Sequence, residues 1–354
     1  MIHYSELLSA PVNITWEITK KCNLNCTHCL SFDLQELCTY ELTFEQCKVI
    51  IDELSKLQVF QINFGGGEPF LREDFIDILY YVQSKNITAC ISTNAIILNK
   101  TIVDNLIQIK DLYIQVSLDG ATERTNDLIR GKNTFKRIIS GIELLLNNGF
   151  PSSNMSTNTV VTSINFMEIP EIYNIGRRYG IKTRLSRFRP SGNAKKVWQE
   201  YRLSKQQLEE LVFFLNAYKD VLTGDSFFSI TSEERSKLGL NICGAAKLTC
   251  SVQPDGSVYP CAFLQDKYFK AGNILENSLK FIWDNSYIFK KLRRLRIQSC
   301  ENCERFNICH GGCPAVAFFL TNSVYCSDPE CIKSIRNNKS EKHDKEVTNN
   351  VYTI

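Results

Sequence analysis

The segment Asn13-Ile-Thr-Trp-Glu-Ile-Thr19 runs through Lys20 and Lys21 into Cys22-Asn-Leu-Asn-Cys26-Thr-His-Cys29. The first part reads as a short strand. The second sets three thiols at the spacing C-x3-C-x2-C directly behind it. Three thiolates can bind three irons of a [4Fe-4S] cube and leave the fourth open, which is what a substrate-binding cluster requires. A structural zinc site would want four ligands, and His28 could be counted as the fourth. Its place between two cysteines suits a ring flanking a cluster better than one reaching the same metal.

Working outward, residues 12–190 repeat a unit of apolar strand followed by an amphipathic segment, the pattern of parallel βαβ units. The predicted strands are Asn13–Thr19, Val59–Phe64, Ile87–Ser92, Leu112–Leu118, Thr157–Thr162 and Lys182–Phe188. Helices are predicted over Thr43–Lys56, capped by Thr43, and over Thr134–Asn147, ending at Gly149. Six units predict an α/β fold, a partial (β/α)6 TIM-like barrel, preceded by an N-terminal extension over 1–11. Residues 191–240 read as a helical bridge without an obvious site. From 241 to 332 the sequence is loop-rich and cysteine-rich, too poor in apolar runs to build a large core, so metal would supply folding energy there. The polar tail 333–354 is expected to be disordered.

The chain has 41 Lys and Arg against 38 Asp and Glu, a net charge of +3, and no basic block of the kind that grips nucleic acid. Nucleic acid is not an expected partner. The start of the chain lacks the basic and apolar regions of a signal peptide, and no stretch reaches the roughly 18 apolar residues of a membrane span. A cytoplasmic protein without a membrane partner is expected. Most of its 15 cysteines are then metal ligands and not a disulfide framework, because cytoplasmic thiol pools keep such pairs reduced. Cys38, Cys47, Cys90 and Cys326 fall outside the spaced groups and read as small buried hydrophobes.

The cysteine triplet after a first barrel strand resembles the radical S-adenosylmethionine (SAM) superfamily. Gly65-Gly66-Gly67-Glu68-Pro69 after the second strand is similar to the element whose backbone receives the amino group of SAM. Ser92-Thr93-Asn94 resembles the ribose-contacting segment, and Ser117-Leu118-Asp119-Gly120 another element near SAM. His28 and Arg130 join the implied cofactor contacts, Arg130 through the SAM carboxylate or else as cover for a helix end. Taken alone, Asp119-Gly120 reads equally as a turn and Ser92 as a helix cap. The resemblance implies that Cys22, Cys26 and Cys29 are the catalytic cluster ligands and that reductive cleavage of SAM gives a 5′-deoxyadenosyl radical, which takes a hydrogen from substrate.

Downstream, Cys243-x12-Gly256-x4-Cys261, then Cys300-x2-Cys303-x5-Cys309-x3-Cys313, then Cys331 resemble the SPASM domain, an auxiliary-cluster module of radical SAM enzymes. The resemblance implies one auxiliary cluster on Cys243, Cys261 and Cys313, with Cys250 as a fourth ligand, and another on Cys300, Cys303, Cys309 and Cys331. That makes three [4Fe-4S] clusters, one of them SAM-binding. Two zinc-ribbon sites are the alternative reading of the C-x2-C pair.

Val59–Pro69, Arg184–Gly192 and Gly224-Asp225-Ser226-Phe227-Phe228 are similar to the mycofactocin maturase family. That resemblance implies oxidative decarboxylation of the C-terminal Tyr of a short ribosomal precursor peptide and Val–Tyr carbon–carbon cross-linking. A thioether-forming peptide maturase and a small-molecule enzyme, such as one decarboxylating a tetrapyrrole, are the alternatives. Arg187 or Arg189, after the sixth strand, could hold a peptide carboxylate or be solvated loop charges. Only 21 residues precede Cys22, so a separate leader-peptide-binding protein is expected. A reductase, flavodoxin or ferredoxin is the expected electron donor.

Overall fold

The computed structural model describes residues 8–31, 40–223, 243–304 and 306–331. The expectations placed on Cys38, on residues 224–228, on the tail 333–354 and on residues 1–7 of the extension lie outside the described residues.

Six parallel strands form the body of one sheet: β1 (Asn13–Thr19), β2 (Gln61–Gly66), β3 (Thr88–Thr93), β4 (Leu112–Ser117), β5 (Met155–Val161) and β6 (Lys182–Arg187), each paired with the next. The intervening segments carry helices α1 (Phe44–Lys56), α2 (Phe75–Ser84), α3 (Lys100–Leu106), α4 (Glu123–Arg130), α5 (Thr134–Asn147) and α6 (Ile169–Arg178). Thr43 caps α1 in a reciprocal box with Gln46, as its residue type predicts. β6 is an edge of the sheet, so the barrel stays open.

Strand alternation sorts the side chains. Ile14, Trp16, Ile18, Ile62, Phe64, Ile91 and Val116 are buried under the helices in one continuous core. The alternate positions Thr15, Glu17, Asn63, Ser92, Gln115, Ser117, Asn158 and Ser186 form a polar inner face. An apolar lining would fill this space; a polar one keeps it able to take a polar ligand.

The cysteine-rich region continues the barrel sheet. β7 (Thr249–Val252) pairs parallel with β1, and β8 (Ser257–Tyr259) and β9 (Gly272–Asn273) follow antiparallel, giving the order β6-β5-β4-β3-β2-β1-β7-β8-β9. The physical reason is core sharing. Cys250 lies opposite Ile14 in register, and Cys250, Val252 and Val258 join the barrel core, so these short strands use apolar cover they could not assemble alone. The bridge holds α7 (Ala194–Tyr201) and α8 (Lys205–Ala217). α8 packs Leu208, Leu211 and Leu215 into a cluster with Val161 of β5 and Leu185 of β6. Among the described residues no helix is long and apolar enough to cross a membrane.

Candidate active site

Cys22, Cys26 and Cys29 occupy the loop at the C-terminal end of β1, the edge where parallel barrels assemble their sites. Thr27 fastens this loop to α4, its backbone N–H donating to Ile129 O at 2.9 Å. Behind it Asp119, fully buried at the end of β4, meets His28 Nε2 at 2.6 Å and Arg130 Nε at 2.7 Å. Its other oxygen accepts the Val160 N–H at 2.7 Å. Burial would raise the Asp119 carboxyl, but the adjacent Arg130 charge and then His28 outweigh it and hold it at about 2. His28, Asp119 and Arg130 were expected against the cofactor. In the structure they meet one another behind the thiol loop, where each satisfies the charge or hydrogen bonds of another.

The thiols themselves test which metal group fits. Burial first, then the charges of Cys26 and Cys22, push the Cys29 thiol up to about 12. Thiolates that repel one another this way ionise readily only with metal between them. A structural zinc site would want a fourth ligand, whereas a cube spreads three thiolates over separate irons and leaves one iron open. The donor set fits an iron–sulfur cluster better than zinc.

The glycine turn packs against the same loop. A Cβ on Gly67 would lie 1.9 Å from Lys21 O, and one on Gly66, at φ +107°, 2.5 Å from Thr19 O; a Cβ on Gly65 would meet nothing within 4 Å. Gly66 and Gly67 are therefore needed for the close approach of two backbones, and Gly65 faces the space a ligand could use. Pro69 begins the buried turn that follows. Glu68 clasps β3 to the turn: its carboxylate accepts from Thr93 Oγ1 at 2.7 Å and from the Asn94 N–H at 2.8 Å. Asn94 in turn donates to Asn23 Oδ1 at 2.8 Å. Ser92 and Ser117, half-buried on the inner face, remain positioned to touch a ligand.

In the C-terminal region Cys261 is pushed up by burial and then by the charges of Cys243 and Cys313. The same electrostatic contact links Cys300 with Cys331 and Cys303, and Cys309 with Cys331 and Cys300. Two groups thus gather as the resemblance implied. Cys250 does not join the first. It is fully buried in the apolar core, its thiol is pushed up to about 12 by burial, and the charge beside it is Arg293.

Arg187 corrects another expectation. Its guanidinium donates to Asp328 Oδ2 and Oδ1 at 2.5 and 2.7 Å and to Glu330 Oε2 at 2.7 Å, so it is not free for a substrate carboxylate. Of the unassigned cysteines, Cys47 is buried and Cys90 half-buried, but Cys326 is exposed. Sequence reasoning also missed Gly192 and Asn193, read only as linker. A Cβ on Gly192, at φ +56°, would lie 2.3 Å from Cys29 O. The Asn193 N–H donates to Cys29 O at 2.9 Å, and its Nδ2 to Cys26 O at 3.2 Å. The turn signature Ser-Gly-Asn was visible; its contact with a loop 160 or so residues earlier was not.

Comparison with known proteins agrees with this geometry. The sequence model of the radical SAM superfamily matches residues 16–175, and that of the SPASM iron–sulfur cluster-binding domain matches residues 243–305. Fold and site define a radical SAM enzyme with iron–sulfur clusters and SAM as its cofactors. The chain is 38% identical to mycofactocin maturase MftC of Mycolicibacterium smegmatis over 331 residues, covering 92% of this chain and 84% of that one. It is 29% identical to the AdoMet-dependent heme synthase of Methanosarcina barkeri, covering 92% and 97%. Streptococcus suis SuiB bound to precursor peptide SuiA shares the fold, with a TM-score of 0.76 at 20% identity over 92% of this chain and 77% of that one. The chain belongs to the mycofactocin maturase family.

Proposed function

We propose that the chain is a radical SAM peptide maturase that oxidatively decarboxylates the C-terminal Tyr of a short ribosomal precursor peptide and joins the product to the adjacent Val by a carbon–carbon bond. The observation that carries the reading is that the auxiliary-cysteine region joins the barrel sheet at β1, the strand that leads into Cys22. The loop 261–266, which starts at Cys261, touches β1 through the Gln265–Glu17 hydrogen bond, a few residues before Cys22. Similarity to the M. smegmatis maturase supports the reaction.

When bound at Cys22, Cys26 and Cys29, the cluster and SAM supply the 5′-deoxyadenosyl radical. The chain's own residues hold that centre still: Gly66 and Gly67 let the turn close on the loop, Asp119 anchors His28 and Arg130, and Asn193 ties down the loop carbonyls. The half-buried backbone at Gly65, where a Cβ would meet nothing within 4 Å, with Ser92 and Ser117, is where SAM would lie. We assign three [4Fe-4S] clusters, the second on Cys243, Cys261 and Cys313 without Cys250, and the third on Cys300, Cys303, Cys309 and Cys331. Residues 12–190 and 241–332 would be the barrel and auxiliary-cluster domains. A separate leader-peptide-binding protein, a flavodoxin, ferredoxin or reductase as electron donor, and a cytoplasmic setting complete the reading.

Similarity to a heme synthase supports a second reading, a radical enzyme acting on a small molecule. One experiment separates them. Anaerobically reconstituted protein with dithionite, SAM and a Val-Tyr-ending peptide is expected to release 5′-deoxyadenosine while the peptide loses carbon dioxide and two hydrogens. A triple alanine variant of Cys22, Cys26 and Cys29 is expected to release none yet keep auxiliary-cluster absorbance. Unchanged release in that variant overturns the assignment. Turnover of a porphyrin propionate, or thioether formation in a cysteine-containing peptide, with the Val-Tyr peptide untouched, moves the chain to the other readings.

A further inference from the structure

Two residues beyond Arg187, Arg189 presents the opposite picture. It is 95% buried, counting its 5% exposure, yet its Nε and Nη1 have no hydrogen-bond partner, and among the described residues no carboxylate pairs with it. A guanidinium offers five N–H donors and cannot shed its charge. Burying it unpaired is costly enough that such a group is expected to have a partner the protein alone does not provide.

What Arg189 does touch locates it. Its guanidinium carbon stands 3.7 Å from the centre of the Phe263 ring, and its charge acts on Cys261. Stacking uses the face of the guanidinium and leaves the N–H edge for an in-plane acceptor. Phe263 belongs to the loop 261–266, the same loop whose Gln265 donates to Glu17 on the inner face of β1. Across from Glu17, Gln253 continues the β1–β7 register on that face. Gln253 is buried beside the Glu17 carboxyl, yet among the described residues neither its Oε1 nor its Nε2 makes a hydrogen bond of ordinary geometry. One short loop thus holds together a cation without an anion and, two residues on, the neighbourhood of an unpaired carboxamide.

We propose that this is the subsite for a carboxylate-terminated peptide, with Arg189 receiving the terminal carboxylate and Gln253 pairing its donor and acceptor with the adjoining peptide bond. The inference rests on the peptide-maturase reading and adds to it the residues that select the end of the peptide. A guanidinium and a carboxamide complement what a peptide C-terminus presents: an anion and, beside it, an amide N–H and C=O. The auxiliary thiolates are the competing destination for the Arg189 donors, and the two differ in what a substitution disturbs.

The test uses the reconstituted full chain with SAM and two synthetic peptides of one Val-Tyr-ending sequence, one with a free C-terminal carboxylate and one with a carboxamide. Fluorescence anisotropy is expected to show the wild type binding the acid at least about tenfold tighter than the amide, the size of one charge-assisted contact. Arg189→Met is expected to abolish that ratio and Arg189→Lys to restore part of it. Gln253→Leu is expected to weaken both peptides alike and leave the ratio standing. Equal affinity of the wild type for acid and amide, or an unchanged ratio in Arg189→Met, overturns the subsite. So does a shifted midpoint potential or electron paramagnetic resonance signal of the auxiliary clusters with the ratio intact, which would give Arg189 to the cluster. Release of 5′-deoxyadenosine with neither peptide modified would instead overturn the maturase reading itself.

Discussion

Arg187 at the end of β6 and Asp328 near the end of the described chain form a buried bidentate ion pair, 2.5 and 2.7 Å between nitrogens and oxygens. Asp328 Oδ2 also accepts the backbone N–H of Cys313 at 3.0 Å, and its carbonyl accepts that of Cys331 at 2.9 Å. The pair therefore ties the barrel edge to one cysteine of each auxiliary group. Removing one partner strands the other charge in the interior, so Arg187→Met is expected to cost about 3–5 kcal/mol and to lower auxiliary iron content together with Tm. Arg187→Met combined with Asp328→Leu is expected to recover most of the stability. Thermal unfolding of Arg187→Met, Asp328→Leu and the double variant checks it, and additive losses would refute it.

Glu17 sets a pH dependence. Burial raises its carboxyl from 4.5 to about 7, against the smaller lowering effects of Gln265, Ser31 and Gln253. The folded state thus keeps a proton that the unfolded chain releases above about 4.5. Its contribution to stability is full below 4.5 and is lost as pH rises through about 7, on the order of 3 kcal/mol over the window. Apoprotein Tm measured from pH 5 to 8 is expected to fall less steeply in Glu17→Gln than in the wild type.

Much of this arrangement was legible beforehand, and its gaps have a common cause. β1 has the predicted bounds, and the other five barrel strands lie within two residues of theirs, because each is a short apolar run bounded by turn residues. The cysteine groups were legible because spacing along the chain is itself the signal. Arg187 was misread, and the partners of Asp119 were not foreseen, because local position says that a residue lies at the barrel mouth without saying what else arrives there. Asp119 is matched by His28 from 91 positions away and Arg187 by Asp328 from 141. Cys250 is the same case in reverse: register with Ile14 turned it into the core.

Gly192 carries a prediction about one cluster alone. With its Cβ position 2.3 Å from Cys29 O and 2.6 Å from Leu30 O, at φ +56°, Gly192→Ala must shift the loop that holds the first thiol group. The variant is expected to lose about a third of its iron if three equal clusters are present, and 5′-deoxyadenosine release should fall at least about tenfold. Auxiliary absorbance should persist. Full iron content with normal release would show that the loop does not depend on this contact.

Cys250 and Cys261 are expected to part company on substitution, although they sit eleven residues apart in one cysteine-rich segment. Cys261 shares its electrostatic surroundings with Cys243 and Cys313, whereas Cys250 is surrounded by the apolar core that β7 shares with β1. Cys250→Ala removes one buried sulfur, so a loss of about 1 kcal/mol from the small cavity is expected, with iron content and auxiliary spectra unchanged. Cys261→Ala removes a thiolate from a group of three, and the cluster there should be lost or converted to a form with fewer irons. Iron quantitation and electron paramagnetic resonance of the two reduced variants compare them directly. A matching loss of cluster signal in Cys250→Ala would return Cys250 to the ligand set and close the coordination that its burial leaves to three cysteines.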